Sequence, residues 1–317
     1  MPDTLNNPRE ISVYVNHICW VTAEDHLYTT DMLDVEDYYY LSPHIYMEEN
    51  YYDRSTVRTR SLRSDDQRVT AGDLALVVME PLASGTSERW DLLILAQTYP
   101  ERYAMNPPLA RILESTSWKV DYPLALSHMG PLAATEGMQA AAWTLGREER
   151  GMFVLTEQRV IEEHESPGVL SDMAVALELN SQSGALAVNY IGKRTVDDIE
   201  GSVMASEIIS IIDEFMDAGQ TETILLQSRL RRHIIPYFKP GMSLIKSVYH
   251  VPETIDYQSG DVWIQLAEQL QNGNIKVDDR VLLISWDGER LLSACCVHVV
   301  HMPVLSRLTL HQEVKTS

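Results

Sequence analysis

Hydrophobic and polar positions follow two different periods along the chain. Residues 70–82 carry apolar side chains at helical spacing, which predicts an amphipathic helix. Residues 90–98 form a continuous apolar run of strand length, typical of a strand buried on both faces. Residues 11–21 are rich in β-branched and aromatic side chains and predict another strand.

Both patterns continue to the C-terminal region in alternation. Further helices are predicted at residues 105–115, 129–146, 200–219, 229–238 and 261–273. Further strands are predicted at residues 122–127, 151–157, 173–179, 184–192, 222–227, 279–288 and 291–300, the last two as a pair. This order predicts a layered α/β protein of two similar halves, residues 1–180 and 181–317, each with a mostly buried sheet.

One segment, residues 24–55, fits neither period. Acidic residues and tyrosines alternate there without a clear repeat. The segment is interpreted either as an exposed, partly helical insertion that packs tyrosine faces and solvates its acids, or as a surface that faces a partner, because tyrosine is enriched at interfaces.

Charge and cysteine content narrow the function. The 317 residues include 46 acidic and 25 basic side chains, a net charge of −21, which argues against a nucleic-acid-binding protein. The longest basic cluster is Arg229, Arg231 and Arg232.

The three cysteines lack zinc-ligand spacing, so no metal site is predicted and a reducing, cytoplasmic compartment is expected. Neither an export signal nor an apolar run long enough for a membrane span is present in the sequence.

Common catalytic motifs are absent. The sequence has no GxSxG, GxxxxGK[ST], GxGxxG or HExxH motif, and nothing in it indicates a cofactor. His164 and His233 are interpreted as surface or helix-packing residues. Cys295 and Cys296 lie in an apolar strand pattern, where cysteine behaves as a small buried hydrophobic residue.

The order of WDLLILAQT, NPPLARIL, YPLALSHMGPLAA and GMFVLTE resembles the N-terminal half of ketosynthase III (3-oxoacyl-acyl-carrier-protein synthase III) enzymes of the thiolase superfamily. SDMAVALEL is similar to the element that closes the family's first half, and NGNIKVDDRVLLISW is similar to its penultimate core strand and the turn before it. The arginine-containing stretch at residues 57–75 matches a turn before the family's first long helix. The resemblance covers residues 57–299 and implies a thiolase-like αβαβα fold.

The chemistry that the resemblance implies rests on a cysteine nucleophile, a histidine and an asparagine. Counting from matched anchors, the cysteine position is Met129, the histidine position is Leu226 and the asparagine position is Asp256. A thioether carries no acyl group, leucine transfers no proton, and a carboxylate opposes developing negative charge. The glycine-rich turn of the last strand pair is also replaced, by SWDGER.

These replacements predict a homologue without ketosynthase activity, in which Met129 and Leu226 fill the former catalytic cavity. Members of the family pair through a strand that continues one sheet across a dimer. The leading hypothesis is therefore an inactive subunit that pairs with an active ketosynthase III-like enzyme of fatty-acyl or polyketide-type biosynthesis, or with a second copy of itself. An acyl carrier protein or acyl-CoA is a further expected partner, and neither nucleic acid nor membrane is expected.

Two alternatives are open. The chain could be an acyltransferase that uses Ser127 as nucleophile, with His128 or His250 as base; alternatively, Ser127 ends a strand and caps the next helix. The chain could also be a carrier- or ligand-binding protein in which Arg229, Arg231 and Arg232 contact an acidic carrier. The other interpretation of these arginines is a solvated helix surface.

Overall fold

The fold is known from a computed structural model. It describes residues 13–22, 27–29, 58–60, 63–64, 67–68, 70–83, 89–98, 107–127, 130–157, 169–215, 223–237 and 255–309. Residues 24–55 lie outside this description apart from the short strand at 27–29, as do Met129, His128, His164 and His250.

Helices and strands alternate as the sequence predicts. The helices are α1 (Ala71–Ala83), α2 (Pro108–Ser115), α3 (Ala133–Thr144), α4 (Gly201–Phe215), α5 (Ser228–Ile234) and α6 (Asp261–Gln271). The strands are β1 (Val13–Thr22), β2 (Leu27–Thr29), β3 (Arg58–Arg60), β4 (Arg63–Ser64), β5 (Gln67–Arg68), β6 (Arg89–Ala96), β7 (Lys119–Leu126), β8 (Arg150–Glu157), β9 (Val169–Ser171), β10 (Met173–Asn180), β11 (Leu186–Thr195), β12 (Thr223–Leu226), β13 (Ile255–Asp256), β14 (Arg280–Trp286), β15 (Leu291–Val299) and β16 (Val304–Leu308).

Ten strands form one connected sheet. Nine of them run in the order β12-β14-β15-β11-β1-β10-β8-β6-β7, and β16 pairs with β1 beside this path. β1 joins the two halves, because it is antiparallel to β10 and, near its start, to β11, while its later residues run parallel to β16. The described strands also form a four-stranded sheet, β13-β9-β3-β2, and the pair β4-β5.

The core is divided into three clusters that define five layers. The central cluster contains the apolar faces of α3 and α6 between strands of both halves. One outer cluster packs α1 and α2 on β6, β8 and β10, and the other packs α4 and α5 on β12, β14 and β15. The αβαβα architecture predicted from the sequence is confirmed.

Continuous apolar strands are what this layering requires. In β6, Leu92 and Ile94 face the central cluster, while Leu93 and Leu95 face the outer one. Since successive strand side chains point to opposite faces, a strand covered on both sides needs apolar residues at every position. The prediction for residues 90–98 is therefore confirmed.

The two strands predicted on either side of a turn are confirmed as β10 and β11, and each pairs with β1 rather than with the other. Two other local predictions differ from the structure. β7 begins three residues before the predicted strand at 122–127 and lies at the edge of the sheet. The helix predicted at 229–238 ends as a 3-10 turn at Ile235–Tyr237, where Pro236 lacks a backbone N–H.

The boundary between residues 180 and 181 stays a prediction, since β1 pairs with strands from both sides of it. Within the described ranges, no helix combines the length and apolar character needed to span a lipid bilayer.

Candidate functional site

The carboxyl ends of β6 and β8 place a buried glutamate beside a threonine. The two strands are parallel neighbours, so the residues at their ends meet at the same edge of the sheet. Glu157 ends β8, and its Oε1 accepts hydrogen bonds from the Thr98 N–H (2.9 Å) and the Thr98 hydroxyl (2.6 Å). The Ser259 hydroxyl also donates to Glu157 Oε1. Burial raises the Glu157 pKa to about 7, although these hydrogen bonds favour the charged form.

A second buried carboxylate lies where α5 and α6 begin. Asp261, the first residue of α6, accepts hydrogen bonds from the Ser228 N–H (2.5 Å), the Ser228 hydroxyl (3.0 Å) and the Gln265 amide (2.8 Å). The starts of two helices offer N–H groups and positive partial charge to a carboxylate. Burial first, and the nearby Asp256 second, nevertheless raise the Asp261 pKa to about 7.

Asp256 is held by an arginine and by the turn that follows it. Arg232 Nη2 lies 3.5 Å from Asp256 Oδ2, and both side chains are largely buried. The Gln258 N–H donates to Asp256 Oδ1 at 2.8 Å. Gln258 has a φ of 49°, an uncommon left-handed conformation for a residue other than glycine, asparagine or aspartate.

The turn Gln258–Gly260 connects the two acidic groups. Asp256 precedes the turn, Asp261 follows it, and Ser259 within it donates to Glu157. Glu157, Asp256 and Asp261 therefore belong to one buried network, which the sequence analysis resolved only at Asp256. We call these three carboxylates, with Thr98, Ser228, Arg232, Gln258, Ser259 and Gln265, the acidic network.

Leu226 contacts the acidic network through its backbone and not through its side chain. Its carbonyl oxygen accepts a hydrogen bond from Gln265 Nε2 at 3.0 Å. Its side chain belongs to the outer cluster, whereas Leu225 faces the central one. The prediction that Leu226 fills the catalytic cavity is wrong, because strand alternation directs the side chain to the opposite face of the sheet.

The beginning of α3 borders the acidic network. A 3-10 turn at Gly130–Leu132 leads into α3 and contacts both the Gln258–Gly260 turn and β14. Gly130 has a φ of 58°, and a Cβ built on it would lie 3.9 Å from the Asp287 carbonyl. Met129 lies outside the described residues, so its predicted place in the cavity stays a prediction.

The three arginines have different surroundings. Arg231 is 3% exposed, so its predicted contact with an acidic carrier is wrong, because burial in the protein removes it from a carrier's reach. Arg232 pairs with Asp256 and keeps 13% of its side chain exposed, and its contact with a carrier stays a prediction. Arg229 is half-buried, with its guanidinium carbon 5.8 Å from the centre of the Trp286 ring. The His233 ring stacks on the Trp286 ring with 5.0 Å between the ring centres, which agrees with its predicted role in packing.

Ser127 is exposed and directly follows β7, which agrees with its predicted place at the end of a strand. It does not cap α3, because the N-cap residue of that helix is Leu132. The capping interpretation of Ser127 is therefore wrong, and its proposed role as a nucleophile is untested.

The cysteines whose side chains the structure describes lie within strands. Cys19 is in β1, and Cys295 and Cys296 are in β15. Burial raises the pKa of the Cys19 thiol to about 12 and raises those of Cys295 and Cys296 as well. A thiol that keeps its proton is a poor nucleophile. Across the described ranges, no group of three or more potential ligands is arranged to hold a metal ion.

No protein-family model matches the sequence, and no curated protein matches it. Solved structures do. The 3-oxoacyl-(acyl carrier protein) synthase III FabH of Xanthomonas oryzae is 16% identical, with a TM-score of 0.63 over 90% of this chain and 98% of that chain. The chain has the thiolase-like fold of ketosynthase III proteins.

Two further structures share this ketosynthase III-type fold. A variant of Xanthomonas campestris OleA is 16% identical, with a TM-score of 0.61 over 90% of this chain and 98% of that chain. ChlB3, described as an acyltransferase, is 12% identical, with a TM-score of 0.67 over 92% of this chain and 99% of that chain. The resemblance inferred from short sequence motifs is thus confirmed at the level of the fold.

Glu157 and Asp261 are site residues that the sequence analysis missed. A usable signal existed for Glu157, since it is the charged residue that ends the apolar run GMFVLTE, while Thr98 ends WDLLILAQT. Polar residues at the carboxyl ends of parallel strands gather at one edge of the sheet. Asp261 gave a weaker signal, because an acid at the start of a helix is common for helix stability alone.

Proposed function

We propose that this chain is a non-catalytic ketosynthase III-like subunit that pairs with an active ketosynthase or acyltransferase. The observation that carries the proposal is the acidic network, which joins the Leu226 carbonyl to Asp256 through Gln265 and Asp261. The resemblance puts the histidine and the asparagine at these two positions. None of the described residues in the network is a cysteine or a histidine.

The chemistry of the network is opposed to thioester condensation. Decarboxylation and condensation develop negative charge on a thioester oxygen, and the family stabilises that charge with hydrogen-bond donors. Asp256 offers a carboxylate there and already pairs with Arg232. Ser228 and Ser259 are 2% and 0% exposed, and each hydroxyl already donates to a carboxylate, which argues against either serine as a nucleophile.

The edge strand β7 supports pairing. The main path of the sheet ends at β12 and β7. β12 has four residues and is mostly buried, whereas β7 has eight residues and includes Tyr122, which is 54% exposed. An exposed edge strand offers free N–H and C=O groups to a strand from another chain.

The similar structures suggest the setting of the proposed pair. FabH is named 3-oxoacyl-(acyl carrier protein) synthase III, and ChlB3 is described as an acyltransferase. We therefore place the active partner in fatty-acyl or polyketide-type biosynthesis, with an acyl thioester as substrate. The unpaired cysteines agree with a cytoplasmic location.

Activity measurements test the absence of catalysis. The purified chain is incubated with octanoyl-CoA and malonyl-CoA, and intact-protein mass and CoA release are recorded. We expect no acyl adduct and no condensation product from the wild-type chain, and no condensation product from Met129→Cys, because a thiol alone supplies neither the imidazole nor the amide donor. Ser127→Ala is the matched control.

Two results would contradict the proposal. Turnover restored by Met129→Cys alone would show that the remaining groups support condensation. An octanoyl adduct on the wild-type chain that disappears in Ser127→Ala would instead establish the acyltransferase alternative.

A further inference from the structure

The edge of β7 with which no described strand pairs carries a proline in its middle, and we call it the free edge. β7 pairs with β6 in a parallel ladder that is regular from Tyr122 to Leu126. The Gln97 N–H donates to the Leu126 carbonyl at 2.9 Å, so the backbone groups of Leu126 point towards β6. Backbone groups of successive strand residues point to alternate sides, and those of Pro123 therefore point to the free edge.

Pro123 removes one donor from that edge. Proline has no N–H, and for this reason it is tolerated in edge strands, where it interrupts pairing with another chain. A partner strand that continues the sheet places a carbonyl opposite Pro123 and finds no donor there. A hydrogen bond is lost, and the partner carbonyl is left without its bond.

Pairing of two copies incurs this loss twice. In a symmetric antiparallel pair of β7 strands, both prolines enter the ladder whenever five or more residues of β7 pair, because every such stretch of this eight-residue strand includes Pro123. A strand from a different chain meets the proline once. The geometry thus disfavours a second copy of this chain relative to another partner.

The net charge of the chain also disfavours pairing of two copies. The chain carries a net charge of −21, and a homodimer doubles it, which weakens and slows association through like-charge repulsion. A less acidic partner avoids this repulsion. Two independent features, one local and one of the whole chain, therefore oppose self-pairing.

We propose that the β7 edge selects an edge strand of a different, less acidic chain, and that Pro123 prevents two copies of this protein from pairing there. This inference rests on the proposed function, because it assumes that β7 is the pairing edge. It adds to that function the choice of a heterodimer over a homodimer.

Self-association of the purified chain tests this selectivity without the partner. We expect the wild-type chain to sediment as a monomer at micromolar concentrations. Pro123→Val restores the missing N–H on both copies and should strengthen dimer formation by about tenfold or more, since two hydrogen bonds are regained. Pro107→Val, at an exposed proline beside α2 rather than on this edge, is the control and should not change the sedimentation.

Other outcomes would overturn the selectivity. A wild-type dimer that Tyr122→Lys dissociates would show that β7 pairs with itself in spite of Pro123, and would leave edge pairing intact. The proline is not the barrier to self-pairing if wild type, Pro123→Val and Pro123→Thr have equal monomer populations and each has a native circular dichroism spectrum. Binding of the chain to a ketosynthase is measured separately.

Discussion

The carboxyl groups of Glu157 and Asp261 make the stability of the folded protein depend on pH. Burial raises the pKa of each to about 7, and their hydrogen bonds only partly oppose this. In an unfolded chain both groups ionise near pH 4, at about 3.9 for aspartate and 4.3 for glutamate. Between those values and about pH 7 the folded protein holds protons that the unfolded chain has released.

The sign of the pH dependence follows from this difference. Where the folded state binds more protons, the free energy of unfolding falls as pH rises. The stability associated with Glu157 is therefore present below about pH 4 and is lost as pH rises to about 7. At 1.36 kcal/mol for each pKa unit, the whole loss is about 4 kcal/mol, of which about 3 kcal/mol falls above pH 5.

Glu157→Gln should remove this contribution, since the amide keeps an oxygen acceptor for Thr98 and Ser259 but does not ionise. We expect the variant to gain about 3 kcal/mol relative to wild type between about pH 5 and pH 8. Urea denaturation at several pH values measures the difference. Glu136→Gln, at the carboxylate that pairs with Lys193, is a control outside the network. A constant offset between Glu157→Gln and wild type across this range would contradict the assigned protonation.

The close contact between α3 and β8 depends on a glycine in α3. Gly137 lies inside α3, where helix propensity alone favours alanine by up to about 1 kcal/mol. In the fold, a Cβ at this position would lie 2.2 Å from Cζ of the buried Phe153 ring. The glycine lets the helix approach the strand closely, and this places the start of α3 next to the acidic network.

Gly137→Ala should therefore destabilise the protein, by about 1–3 kcal/mol, although the helix alone would gain. The free energy of unfolding in urea measures this. Gly137→Ala combined with Phe153→Leu should recover part of the loss, because the smaller side chain vacates the space. Gly72→Ala in α1 is a matched control, since its Cβ would first meet the flexible Arg111 side chain at 3.1 Å. A more stable Gly137→Ala would show that α3 and β8 are less closely packed.

At the scale of the whole molecule, the edge strand β7 suggests how the protein functions in an assembly. β7 lies at the end of a ten-stranded sheet, and none of the described strands pairs with its other side. If this edge continues into an active subunit, the pair contains one acidic network and one Cys-His-Asn site. The inactive chain would then act by stabilising or shaping its partner.

Mixing the chain with an intact ketosynthase III encoded in the same genome tests this arrangement. We expect a 1:1 complex by light scattering and higher condensation activity than the enzyme alone. Ala125→Pro, which removes a second N–H from the side of β7 that faces away from β6 and leaves the ladder between the two strands in place, should abolish both effects. Tyr237→Lys, at an exposed aromatic residue near α5, should preserve them. A complex unaffected by Ala125→Pro would place the contact elsewhere.

Much of the fold could be predicted because its local patterns are strong. The continuous apolar runs predicted the buried strands β6 and β8. The amphipathic pattern before them predicted α1. Pairing partners were less predictable: β10 and β11 adjoin one turn in sequence, yet β1 lies between them in the sheet. Local periodicity identifies a strand, but not the neighbour with which it pairs.

The candidate site was only partly predictable, for a related reason. Asp256 was found by counting from a resembling motif, and the structure places it in the buried network. Leu226 occupies the expected strand end but faces the other side, since the count determines position and not orientation. Glu157 is 102 residues from Ser259 along the chain, and only folding reveals their hydrogen bond.

The sequence by itself determined the alternation of helices and strands, the layered class and the acidic charge, and it led to the prediction that the family's reactive residues are replaced at counted positions. These properties depend on residue type and on spacing along the chain. Tertiary structure alone decided which carboxylates share a buried site, which arginine is paired there, and which strand is left at the edge with Pro123. Those properties depend on distances between residues far apart in sequence, and burial sets their energies.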